Sequence, residues 1–189
     1  MDDGKLLILT GPPGAGKTTV GALIAGNSPL SACIHSDWLW TTIVNGYIPP
    51  WEGAADAQNR AVIRAATAAG VRMANAGYTV VLEGILGPWH FEPMIEELAS
   101  CTAPVSYAVL RPDGDTCVAR AQARVLESPH HRDALTDEGP IRHMWDQFRQ
   151  LGPVEKFVID NSAMDPGVTA TLVSERMATG ELGFPGLDV

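Results

Sequence analysis

Three lysines and three cysteines are all that this 189-residue chain holds of each, and its ten arginines leave it at a net charge of −9. Most of a protein's affinity for a polynucleotide comes from neutralising phosphates along a basic stripe. No run of basic residues exists here, which argues against nucleic acid as a partner and leaves room only for a local arginine pocket around a small anion. Cys33, Cys101 and Cys117 are odd in number, widely spaced and set among apolar neighbours. That pattern fits buried reduced thiols and neither a disulfide frame nor a metal site. No apolar stretch approaches the roughly 18 residues of a membrane span. The start, "MDDGK", is acidic where a secretory leader would be basic. The expectation is a cytoplasmic protein without a membrane segment, folded as one domain over residues 1–189. That length buries a full core without staples.

Strand-like and helix-like segments alternate along the chain. Lys5–Thr10 is a continuous apolar run closed by glycine, as a strand buried on both faces should be. Further strands are predicted at Ser31–His35, 78–84, 105–111 and 156–160. Helices are predicted at 16–26, 56–76, 91–99, 116–126, 141–151 and 168–178. Strands separated by helices imply an α/β fold, a five-stranded parallel sheet with helices on both faces in three layers. There is no internal repeat or low-complexity linker. Residues 45–53 ("NGYIPPWEG") and those after Gly180 read as loose chain.

Gly11-Pro12-Pro13-Gly14-Ala15-Gly16-Lys17-Thr18-Thr19 follows the first strand and opens the first helix, with the spacing G-x-x-x-x-G-K-[ST]. Glycines let backbone N–H groups turn inward around a phosphate, and the helix N-terminus points its positive end at the same oxygens. Lys17 reaches the β- and γ-phosphates, and the Thr18 hydroxyl is a ligand for Mg²⁺. The motif predicts ATP and Mg²⁺ as cofactors. It does not by itself choose a reaction. A guanine-specific switch would carry N-K-x-D on a late strand, where this chain reads "VIDNSA". A motor would need several hundred residues.

In open parallel sheets, ligands gather at the carboxyl ends of the strands. The second strand ends in "HSDWLW", which puts Asp37 beside the cradle. There it either accepts the proton of an attacking hydroxyl or caps the next helix. His35, inside the strand, reads as a structural histidine. Trp38, Trp40, Tyr47 and Trp51 concentrate four of the chain's twelve aromatics. They are either an acceptor wall or packing, with one of Trp38 and Trp40 facing the core. Arg60 and Arg64 share a helix face. Arg60, nearer the helix start, is the candidate clamp for an acceptor, and Arg64 reads as solvated. Glu83 ends an apolar strand, where a charge has few structural reasons to be buried. It is assigned to the metal or the acceptor.

Arg120 and Arg124 stand one turn apart just before the polar insertion "ESPHHRDALTDEGP" (residues 127–140), which reads as a small lid carrying Arg132. Arginines delivered by a lid stabilise a transferring phosphoryl group while water is kept out. The catalytic set is therefore Lys17, Asp37 and Arg124. Arg120 and Arg124 join the cradle in holding ATP, and Asp37, Trp38, Arg60 and Glu83 face the acceptor.

With these residues in view, the sequence resembles the P-loop kinases of the nucleoside-monophosphate-kinase-like superfamily, in the branch of chloramphenicol phosphotransferase, gluconate kinase and shikimate kinase. It resembles AAA-type predicted kinases of unassigned substrate more closely still. The likeness rests on the cradle, on His35-Ser36-Asp37-Trp38-Leu39-Trp40, on Gln58-Asn59-Arg60 and on Glu83-Gly84. It implies magnesium-dependent transfer of a γ-phosphate to a small acceptor such as an antibiotic or sugar acid, with Asp37 on the acceptor hydroxyl. It also implies that Arg120 and Arg124 flank the nucleotide, and that Asp160-Asn161-Ser162-Ala163 lie near the base. The cradle lacks the serines of the antibiotic-kinase branch, and Glu83 stands where that likeness expects aspartate. A polynucleotide 5′-hydroxyl kinase, a nucleotide kinase and a non-catalytic nucleotide-binding regulatory module are the alternatives.

Overall fold

The computed structural model of the protein describes residues 4–127 and 135–186. At its centre lie β1 (Lys5–Thr10), β2 (Ser31–His35), β3 (Thr79–Gly84), β4 (Val105–Leu110) and β5 (Val158–Ile159). They form one sheet in the order β2-β3-β1-β4-β5, parallel at every pairing. Leu6, Leu7, Ile8 and Leu9 are all fully buried, which requires cover on both faces. Alternating side chains supply the two faces. Leu6 and Val80 meet α3 (Asp56–Asn75) at Gly70, where a methyl group would already touch Leu6. Leu9, Cys33 and Val81 meet α1 (Lys17–Gly26) at Gly21 in the same way. Helix α1 packs with α7 (Pro166–Ala178), and α3 packs with α4 (Phe91–Leu98). This is the three-layer α/β architecture of P-loop NTPases that the strand pattern implied.

Several elements differ from the sequence reading. The fifth strand shrinks from the expected 156–160 to two residues, because Gly152–Phe157 forms a 3-10 turn instead. The tail then occupies the lower outer edge of β4: Tyr107 N donates to Leu182 O at 2.7 Å, and Phe184 N to Val105 O at 3.0 Å. Leu182 and Phe184 are buried, so the tail up to this point is not loose chain. Nor are residues 45–53. The Gln58 side chain bonds both the N–H and the carbonyl of Ile48, at 2.8 and 2.6 Å, and Asn59 donates to Pro50 O at 2.7 Å. These bonds satisfy backbone groups that neither helix nor sheet would pair.

Helix α5 (Gly114–Glu127) leads into the insertion, and α6 (Glu138–Gln147) opens within its end. Half of the expected lid at 127–140, residues 128–134 with Arg132 among them, lies outside the described residues. Cys33 and Cys117 have their thiols pushed up to about 11, mainly by burial, and so remain protonated and unreactive. Among the described residues no helix is long and apolar enough to cross a membrane.

Candidate functional site

The carboxyl ends of β1 and β3 and the start of α1 meet at the glycine-rich turn. Gly14 holds φ +78° and backs onto the first turn of α5, where a Cβ would overlap the carbonyl oxygen of Cys117. Gly16 holds φ +89° just before the first helical residue. A side chain at either position is strained, so the backbone trace that aims N–H groups inward depends on glycine. Lys17, nearly buried, folds its ammonium over the turn and donates to the carbonyls of Gly11 and Pro12, both at 3.0 Å. A cation is thus already held where a phosphate would need it.

Register brings the acid to the cradle. Leu9, Glu83 and His35 stand abreast on β1, β3 and β2. Glu83 shares the α1-facing parity of Val81, so its side chain meets α1 rather than α3. Its Oε1 accepts the Thr18 hydroxyl at 3.0 Å and lies 2.5 Å from His35 Nδ1. Glu83 is 5% exposed. The hydroxyl donates a hydrogen bond to the carboxylate, which leaves its oxygen lone pairs to meet a cation. A hydroxyl and a carboxylate are the hard oxygen donors Mg²⁺ takes, together with waters and phosphate oxygens. Among the described residues no cluster of three or more His, Cys, Asp or Glu could hold a metal alone. Thr18 and Glu83 therefore fit an ion brought with a nucleotide better than a resident one.

Two residues on from His35, Asp37 opens α2 (Asp37–Thr41), a short helix to which the sequence reading gave no bounds. Ser36 occupies the cap position, so Asp37 is not the N-cap. Instead one carboxylate oxygen of Asp37 lies 3.7 Å from where a Cβ on Gly84 would be, and the Ser36 hydroxyl fills that space outright. That hydroxyl is buried without a hydrogen-bond partner among the described residues. Glycine at 84 is what lets the β2 turn close against β3 and sets Asp37 next to Glu83. The loop beyond is fixed as well: Leu86 N donates to Thr10 Oγ1 at 2.8 Å, and Tyr107 OH to Leu86 O at 3.0 Å.

Of Trp38 and Trp40, one faces the core, as expected. Trp40 packs onto the core and donates its indole N–H to Asn59 Oδ1 at 3.0 Å. Trp38 is 66% exposed and lies on the His35 ring, centroid to centroid 4.5 Å. Arg60 bonds both oxygens of Glu92, at 2.8 and 3.1 Å, and Arg64 pairs with Glu96 and Glu97. The Arg60 guanidinium and the Glu92 carboxylate each stabilise the other's charged form, raising the first pKa and lowering the second. Arg60 and Arg64 thus join α4, and neither is brought to the strand ends.

On the far side of the cradle a cavity of about 320 Å³ is lined by Gly16, Thr19, Arg120, Ala123, Asn161 and Met164, among others. Arg120 donates to the carbonyls of Asn161 and Ser162 at 3.0 and 3.2 Å, and Asn161 Nδ2 to Ala15 O at 3.0 Å. Arginine and asparagine together tie the loop after β5 to the glycine-rich turn. Met164, lining this cavity, escaped the sequence reading, as did the roles of Gln58 and Asn59. Arg124 lies on α5, and its side chain is outside the described residues. A larger open groove, about 570 Å³, runs along α7 between Asp165 and Glu175 and shares no lining residue with the cradle.

Residues 6–151 match the protein family described as AAA domain. No curated protein matches the sequence. Similar solved structures include the APS kinase of Mycobacterium tuberculosis in complex with AMPPNP and APS (TM-score 0.66, 16% identity, 94% of this chain and 99% of that one). The Deinococcus radiodurans tunicamycin resistance protein is similar at TM-score 0.63, with 17% identity over 92% of this chain and 95% of that one. A gluconokinase of Sinorhizobium meliloti 1021 is similar at TM-score 0.62, with 15% identity over 95% and 97%. At such identities the likeness is one of fold.

Proposed function

This chain belongs to the AAA domain family, and from that premise we propose that it is an ATP-dependent phosphotransferase moving the γ-phosphate to a hydroxyl of a small molecule, an antibiotic, a sugar acid or a compound like them. The observation that carries this reading is the pair of carboxylates at neighbouring strand ends: Glu83 engaged with Thr18, and Asp37 lying against Gly84. A hydrolase or switch needs only the first. A second carboxylate beside it supplies a base for an acceptor hydroxyl.

In this reading ATP lies with its phosphates on Gly11–Thr19 and its base in the cavity between Arg120 and Met164. Thr18 and Glu83 would hold Mg²⁺, which would supply neutralisation of phosphate charge. Asp37 takes the acceptor's hydroxyl proton as that oxygen bonds to phosphorus and the bond to the bridging oxygen breaks, releasing ADP. Lys17 balances the charge that develops, and Arg124 joins it from α5. Trp38, exposed one residue from Asp37, offers a flat face to the acceptor.

The ion pairs of Arg60 and Arg64 with Glu92, Glu96 and Glu97 favour an acceptor recognised by hydroxyls over one recognised by a phosphate. They weigh against a nucleotide kinase and against Arg60 as an acceptor clamp. The net charge of −9 weighs against a polynucleotide. ATP use supports a cytoplasmic setting.

The test is ADP release with Mg²⁺ and ATP across antibiotics, sugar acids, nucleosides and nucleoside monophosphates, run beside Asp37→Asn. One acceptor should raise turnover well above background, and the gain should vanish in the variant. Equal basal rates for both proteins with no stimulation anywhere would leave a regulatory nucleotide-binding module as the reading.

A further inference from the structure

We propose that His35 is a positioning residue whose Nδ1–H holds the Glu83 carboxylate in place for Mg²⁺ beside Thr18. His35 and Glu83 are direct partners in the β2–β3 register, and their side chains share the α1 face of the sheet. An ionised carboxylate only accepts, so with Glu83 as acceptor the donor in the 2.5 Å contact with Oε1 is the Nδ1–H of the imidazole. The same Oε1 accepts the Thr18 hydroxyl at 3.0 Å. Both donors use one oxygen, so neither consumes Oε2.

Glutamate makes such a holder necessary. It reaches one methylene further than aspartate and has one more rotatable bond, so an unheld carboxylate at the end of β3 would sample several rotamers. The Thr18 hydroxyl alone does not fix it, because a single hydrogen bond leaves the carboxylate free to swing about that contact. The His35 ring is itself kept in place, being part-buried on its strand and covered by Trp38 at 4.5 Å. Outer-shell partners of this kind typically change metal affinity by about 10–100-fold when removed.

This inference rests on the proposed function only in assigning Glu83 to Mg²⁺. Its test is therefore read without an acceptor: calorimetric titration of ATP into the full chain, once in Mg²⁺ and once in EDTA. His35→Phe keeps a ring against Trp38 and removes the donor, whereas His35→Asn keeps an N–H donor near the Nδ1 position and removes the ring. His35→Ala repeats the first arm without bulk. His35→Phe and His35→Ala should weaken binding in Mg²⁺ about tenfold or more and leave binding in EDTA within about twofold. His35→Asn should stay close to the unaltered protein in both. Equal losses with and without the metal, or a defect in His35→Asn with none in His35→Phe, would assign His35 to packing and overturn the proposal. A His35-dependent Mg²⁺ effect in a protein that phosphorylates no acceptor would sink the kinase reading and leave this one standing.

Discussion

The indole N–H of Trp40 donates to Oδ1 of Asn59 across 3.0 Å, while the Nδ2 of the same asparagine donates to the carbonyl of Pro50 at 2.7 Å. One side chain at the start of α3 therefore fixes both the α2 turn that carries Asp37 and the loop that follows it. Without it, two partly buried polar groups have no partner.

Replacing Asn59 with Ala should cost about 1–2 kcal/mol, which lowers the Tm by about 2–8 °C in a chain of this size. Asn59→Asp keeps the acceptor for Trp40 and gives up the donor to Pro50, so roughly half the loss is expected. Thermal unfolding followed by tryptophan fluorescence reads the first effect. Limited proteolysis within 45–53 reads the loop. An Asn59→Ala protein as stable and as protease-resistant as the parent would show that the bonds to Trp40 and Pro50 do not hold this region.

Lys17 leads to a prediction with two readouts. Its ammonium bonds the carbonyls of Gly11 and Pro12, so Lys17→Ala should destabilise the nucleotide-free protein by about 1 kcal/mol. A hydrogen bond between charged groups is worth about 1.5–3 kcal/mol, so ATP affinity should fall about 10–100-fold. Chemical denaturation without nucleotide and equilibrium binding with it separate the two. A variant that loses stability yet binds ATP normally would make Lys17 a strut of the turn and nothing more.

How much of this was legible beforehand follows from which interactions leave a pattern in one dimension. The Lys5–Thr10 run and the cradle are local, and both were readable. Glu83 stood out because a charge ending an apolar strand is anomalous wherever the strand lies. His35 did not, because its meaning depends on β2 and β3 being neighbours, and strand order is not written in either segment. Residues 45–53 read as loose from their glycine and prolines. The Gln58 and Asn59 bonds that fix them run from side chain to backbone and leave no periodicity. The expected fifth strand was too long for a similar reason: which segment takes the edge of β4 is a competition, and the tail around Gly183 takes part of it. Arg60 looked like an acceptor clamp by its nearness to the helix start, but Glu92 on α4 holds it.

The pH dependence of folding should carry the mark of His90, in the turn that leads into α4. Burial pushes its pKa from 6.5 down to about 4, against a smaller opposing pull from the Asp56 carboxylate. The unfolded chain therefore takes up a proton near pH 6.5, while the folded protein resists until about pH 4. In that window the unfolded state binds more protons, so stability falls as pH falls and this contribution is fully present only above about 6.5. A neutral isostere removes the difference. Stability of the parent minus that of His90→Gln, measured by denaturant unfolding, should be constant above pH 7 and should decline steadily between pH 6.5 and 4. Parallel curves across that range would mean that His90 accepts its proton inside the folded protein, and that the turn before α4 opens enough to hydrate it.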